Sequence, residues 1–144
     1  MLEGGCACGA VRYRIGHPIE TVICHCRLCQ RSAGAPSVAF TTIIRADWIV
    51  LDGADRLREW HSTPFGRRRH CGCCGSLLTV AVDFQPDTID VTTATLDDPS
   101  AVMPIVHIFC EEAPSWSLAH DGLPRHPRYR PDTPGLEPGR TSVD

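Results

Sequence analysis

A chain of 144 residues with 42% hydrophobic and 6% aromatic content supports one domain with a modest core, and a core of that size gains from extra bracing. Its fourteen basic residues, all arginine, stand against seventeen acidic ones for a formal charge of −3, which gives no footprint for nucleic acid or an anionic membrane. The N-terminus runs into Gly4-Gly5-Cys6 without a recognisable leader, and the longest apolar stretch, residues 101–110, contains Pro104 and is too short to span a bilayer. The expectation is a cytoplasmic protein.

Short β-like runs dominate in chain order. Residues 11–15, 21–24, 37–42, 48–51, 57–60, 77–82 and 88–93 read as strands separated by turn residues. Helix is expected only over residues 27–32 and around 97–101, each a turn or two. Twelve glycines and twelve prolines argue against a helical bundle, and parallel βαβ units need longer helices. The fold class is therefore mainly β, with antiparallel sheets and one or two very short helices. Residues 1–123 form the β domain. Residues 124–144, with five prolines and almost no apolar side chains, are expected to be a loosely ordered tail.

Nine cysteines are too many to ignore. An odd number reads poorly as a disulfide framework, and a reducing cytoplasm would keep thiols free, so metal is the better reading. Cys6-Ala7-Cys8-Gly9 and Cys71-Gly72-Cys73-Cys74-Gly75 resemble two halves of a zinc knuckle. A glycine after the second cysteine lets the chain take positive φ and turn N–H groups towards sulfur. Together Cys6, Cys8, Cys71 and Cys74 make a closed, structural four-thiolate set that staples the N-terminus to mid-chain. Cys73 is left over.

The second set is Cys24-His25-Cys26-Arg27-Leu28-Cys29. If the chain leaves a strand here, residues 24 and 26 face one side and His25 the other, and Cys29 returns one short turn later. Three sulfurs from six residues leave a coordination position to be filled. Cys110, Cys73, His25, His70 or His107 could close it, giving a second structural site, or it could stay open as in catalytic zinc. Three thiolates and Zn²⁺ sum to −1, a weak electrophile that suits a soft thiolate ligand better than activation of water.

These residues resemble the glutathione-dependent formaldehyde-activating family, grouped with centromere protein V, whose fold is the Mss4-like zinc-bound β fold. The resemblance rests on Gly5 to Tyr13, Cys24 to Arg31, Cys71 to Gly75, Thr95-Leu96-Asp97-Asp98-Pro99, His107-Ile108 and Asp121-Gly122-Leu123-Pro124. It implies two zinc ions, a structural one at Cys6, Cys8, Cys71 and Cys74 and a second at Cys24, Cys26 and Cys29. It also implies a carbon–sulfur lyase acting on thiol–aldehyde adducts, with glutathione or a similar small thiol as partner and formaldehyde as the aldehyde. Cys73, Cys110 and Glu111-Glu112 depart from the family pattern, the last pair where a basic pair is expected. A different class of function is a non-catalytic zinc-braced β module that binds a protein partner.

The remaining candidates have plainer readings. Arg67-Arg68-Arg69-His70 could hold ligand carboxylates, but alternation along a strand sends Arg68 away from its neighbours, and a solvated strand is the expectation. Of Arg27, Gln30 and Arg31, one could anchor a substrate. His107 on an apolar strand reads as a satisfied core histidine. Trp48, Trp60 and Trp116 read as core or edge packing, and Asp97-Asp98 before Pro99 as a turn or helix cap.

Overall fold

The computed structural model describes residues 1–143. Strands β1 (Leu2–Gly5), β2 (Arg12–Ile15) and β5 (Ile49–Asp52) form a small sheet in the order β1-β2-β5. The larger sheet takes β3 (Glu20–Cys24), β4 (Val38–Ile44), β6 (Leu57–Thr63), β7 (Gly66–Cys71), β8 (Leu77–Val82), β9 (Thr88–Thr92) and β10 (Val106–Ile108), ordered β10-β3-β4-β9-β8-β7-β6. One α-helix, α1 (Arg27–Ala33), and short 3-10 turns complete it. This is the mainly β architecture expected. Among the described residues no helix is long and apolar enough to cross a membrane.

Period-two alternation decides what each face of the large sheet meets. On β9, Ile89 and Val91 turn to a core shared with Val11 and with Tyr13 and Ile15 of the small sheet, while Asp90 turns to the opposite face. That opposite face carries Val38, Phe40 and Val80, packed with Cys24 and Cys29. Register aligns Thr42 with Asp90, Asp90 with Val80, and Val80 with Arg68 across four neighbouring strands. The three-cysteine set and that row thus share one face.

Three features differ from expectation. β10 pairs with β3 in parallel, Ile108 opposite Cys24, because the chain reaches that free edge through a long irregular connection and enters in the direction of β3. β1 is a strand that its sequence hides. Its Gly4 is needed for space: a Cβ there would lie 2.5 Å from Thr95 O and from the Tyr13 hydroxyl. Trp48 stacks on Tyr13 with ring centroids 4.2 Å apart, but Trp60 on the edge strand and Trp116 in a loop are exposed. The short helical stretch expected around residues 97–101 is present as a single 3-10 turn, Pro99–Ala101, capped by Asp98 as expected, its side chain accepting from Ser100 N.

The described part of the tail, composed for a loose wrap, is tied down by polar and aromatic contacts. Arg130 pairs with Glu20 at 2.6 Å, Pro134 O accepts from Gln85 Nε2, and His126 N donates to His107 O. Tyr129 packs edge-on against Phe109 and Phe84. Few apolar residues are needed to anchor a chain when one aromatic ring and a half-buried ion pair supply the hold.

Candidate metal centre

Gly9 and Gly75 follow the knuckle cysteines and take φ of 78° and 80°. The turns aim N–H groups at sulfur: Val11 N donates to Cys6 Sγ at 3.2 Å and Cys73 N to Cys71 Sγ at 3.3 Å. The sulfurs of Cys6, Cys8, Cys71 and Cys74 lie within 4.8 Å of one another. Cys6 to Cys8 is 3.6 Å and Cys8 to Cys71 is 3.9 Å. A tetrahedron of thiolates about 2.3 Å from a zinc ion has edges of about 3.8 Å, whereas a disulfide needs about 2.05 Å. The donor set fits a metal ion. Ser76 Oγ, 3.2 Å from Cys74 Sγ, holds that exposed thiol down at about 5.

The second cluster forms where β3 becomes α1. Cys24 ends the strand. Cys26 is the helix N-cap, and its sulfur accepts from Cys29 N at 3.2 Å in the role an Asp or Ser oxygen usually fills. Cys29 sits in the first turn with its sulfur 3.5 Å from Cys24 Sγ. All three sulfurs lie within 4.8 Å of one another, and among the described residues no fourth His, Cys, Asp or Glu joins them. Without a metal the thiols share protons. Hydrogen bonds from Cys24 and Cys29 draw Cys26 down to about 3, and the proton shared with Cys26 and Cys29 holds Cys24 well above the ordinary thiol value. A cation would replace those protons, so this set also fits a metal ion.

His25 and His107 are buried together behind the cluster. His25 Nε2 lies 2.8 Å from His107 Nδ1, and His107 Nε2 lies 2.8 Å from Asp121 Oδ2. Donation from His107 Nε2 to the Asp121 carboxylate leaves its Nδ1 to accept from His25 Nε2. Burial, then the neighbouring His107, lowers the His25 value. His107 is the satisfied core histidine its sequence context indicated. Cys73 is exposed and accepts from Arg56, Cys110 opens a 3-10 turn, and neither histidine nor Cys73 nor Cys110 reaches the three sulfurs.

Beside the three cysteines lies a cavity of about 270 Å³. Phe40, Val80 and Ile108 line it with the rings of Phe84, Phe109 and Tyr129, and its charged groups are Arg27, Arg68, Asp90 and Glu112. Phe109, which leads into the 3-10 turn Cys110–Glu112, holds a left-handed φ of 56°, a conformation bulky residues rarely take. Burial pushes Asp90 up to about 6 against the hydrogen bond donated by Thr42 Oγ1 at 2.6 Å. Arg27 donates to Gln30 Oε1, and Glu112 accepts from Arg27 N at 2.6 Å, tying the start of α1 to the segment after β10. The acidic pair that departs from the family pattern is thereby engaged, Glu112 here and Glu111 with Arg128 at 2.8 Å.

The arginine run behaves as alternation indicates but not as a solvated strand. Arg67 and Arg69 pair with Asp83 and Glu59 on one face. Arg68 turns the other way, is 4% exposed, and places Nη2 3.5 Å from Cys29 Sγ. Asp90 and Tyr129 went unnoticed in the sequence because each becomes meaningful only through strand register or tail placement.

Residues 1–112 match the family described as glutathione-dependent formaldehyde-activating enzyme. The chain belongs to that family. A protein of Halomonas elongata, provisionally named a glutathione-dependent formaldehyde-activating enzyme, is 32% identical over 124 residues, spanning 81% of this chain and 79% of its own. The crystal structure of a Rhodobacter sphaeroides protein superimposes with a TM-score of 0.59 at 23% identity, covering 69% of this chain and 94% of that one. That likeness speaks for the fold of this family member.

Proposed function

We propose that this protein is a zinc-dependent carbon–sulfur lyase of the cytoplasm that acts on adducts of a small thiol and an aldehyde, with glutathione and formaldehyde as the pair the family suggests. The observation that carries the reading is the three-sulfur cluster of Cys24, Cys26 and Cys29, without a fourth protein ligand among the described residues, beside a cavity large enough for a small organic group. Cys6, Cys8, Cys71 and Cys74 would hold a structural zinc, and Cys24, Cys26 and Cys29 a second one. A zinc ion bound by three thiolates supplies one thing here, an acceptor that favours a soft sulfur ligand and keeps it deprotonated.

The chain's own residues would do the rest. In the adduct a hydroxyl and a sulfur share one carbon. Cleavage removes the hydroxyl proton, turns the C–O bond into a carbonyl and breaks the C–S bond, whose electron pair leaves with sulfur as a thiolate. The reverse sequence joins thiol and aldehyde. Asp90, on the cavity wall with a value near 6, suits the receipt and return of that proton at neutral pH. The apolar walls of Phe40, Val80 and Ile108 would exclude bulk water around the reacting carbon. Arg27 and Glu112 would fix α1, and with it the Cys26 and Cys29 sulfurs.

The test is exchange NMR on glutathione and ¹³C-formaldehyde at equilibrium, with and without protein. Faster exchange between free formaldehyde and the hydroxymethyl adduct is expected, and Cys26→Ser should return it to the uncatalysed rate. Equal exchange rates with and without the zinc-loaded protein would refute the lyase assignment for this pair.

A further inference from the structure

Arg68 is the one arginine among the buried residues, and its surroundings do not explain its charge. Among the described residues no carboxylate lies within ion-pair distance of it: Glu59 on β6 and Asp83 after β8 serve Arg69 and Arg67. Asp90, on the same face as Arg68, stands two strands away across Val80, where it feels the arginine's charge without touching it. Nη2 reaches Cys29 Sγ at 3.5 Å, while Nε and Nη1 are buried without any partner. A guanidinium stays charged even here, and a buried charge without an opposite one is strongly unfavourable. The anion in contact with this arginine is therefore the sulfur cluster itself, with Asp90 a more distant charge across the cavity.

We propose that Arg68 is the counter-charge of the Cys24, Cys26 and Cys29 cluster, and that through it the cavity selects an anionic ligand beside those sulfurs over a neutral one. The inference rests on the reading above that the cluster holds a divalent ion with one open position. Three thiolates and such an ion carry −1, and an anionic fourth ligand makes −2 in a largely apolar cavity. Arg68, in contact with one of the sulfurs, brings that total back to −1. A neutral ligand leaves the cluster at −1 and gains less from the arginine. Arg68 acts on the ligand through the cluster, so it is a positioning and charge-setting residue. At the separations of a first coordination shell, loss of one full charge in a partly screened site changes anion affinity by about tenfold or more.

Cobalt(II), loaded in place of zinc, reports ligand binding through its visible absorption, independently of turnover. The holoprotein is titrated with 2-mercaptoethanol, which binds as a thiolate, and with imidazole, which binds neutral. Arg68→Gln should weaken 2-mercaptoethanol by about tenfold or more and leave imidazole unchanged or tighter, with Arg68→Lys close to the parent. Equal weakening of both ligands, or no change in either, overturns the proposal while leaving the open site standing. If Arg68→Gln does not fold, Arg68→Lys decides: a kept preference for the thiolate supports the charge role, and a lost one overturns it. A parent protein that binds neither ligand removes the open site, and this inference with it.

Discussion

Asp90 shows how a single side chain can cost stability at the wall of the proposed active site. Its folded value near 6 lies above that of an unfolded aspartate, near 3.8. The folded state therefore holds the proton more tightly. That contribution is fully present below about pH 4 and is lost as pH rises through 6. Asp90→Asn, which keeps the acceptor for Thr42, should raise the melting temperature at pH 7.5 by a few degrees and leave it unchanged near pH 4, while slowing adduct exchange. Equal stabilisation at both pH values would contradict the burial argument. The odd thiols are separable in the same way: Cys73 is exposed and Cys110 half-buried, so a thiol reagent on the metal-loaded protein should find one fast and one slow group. Cys73 was legible as a leftover from spacing, whereas Cys110 stood among the residues that could have closed the second site. Arg68 was legible only by half, since alternation fixed that it points away from Arg67 and Arg69 but not that a sulfur waits on the other side.

The two cysteine sets sit differently among the elements, and their loss should have different consequences. Cys8 and Cys71 are 63 residues apart, and a cross-link closing a loop of that length is worth about 4 kcal/mol. Cys24 and Cys29 are five apart and join only the end of β3 to the first turn of α1. Cys71→Ser should therefore lower soluble yield and zinc content together, whereas Cys26→Ser should fold, lose one zinc and lose activity. Denaturant melts with metal analysis of both variants check this; a Cys71→Ser protein that melts like the parent with full zinc would sink the staple. The thiol cap of Cys26 and the closing Gly34 at φ 63° emerge only in the fold, but the strand ending at Cys24 and the short helix after it follow local patterns and were readable. β1 and the parallel β10 were not. A glycine pair carries no strand propensity, and a three-residue edge strand takes its partner from topology.

At the scale of the whole molecule, the C-terminal tail is part of the cavity. Tyr129 lines it, and Arg130 fastens the segment to Glu20 on β3. Deleting residues 124–144 should lower the melting temperature and weaken small-thiol binding together, because the cavity loses a wall and the large sheet a covering ring. A truncated protein that binds thiols like the parent in calorimetric titration would show that the tail serves neither. Composition could reveal that the tail is poor in apolar residues but not that a single tyrosine returns to the sheet, since that placement depends on contacts more than a hundred residues away in the chain.

The central claim is that the Cys24, Cys26 and Cys29 cluster keeps one position for an incoming sulfur. Zinc X-ray absorption of the two-zinc protein, titrated with glutathione and with S-methylglutathione, tests it most directly. The account predicts that sulfur coordination rises with glutathione only, since a methylated sulfur cannot become a thiolate. Two zinc ions that already hold four protein ligands each and ignore glutathione would contradict it, and would make a zinc-braced module for a protein partner the better account.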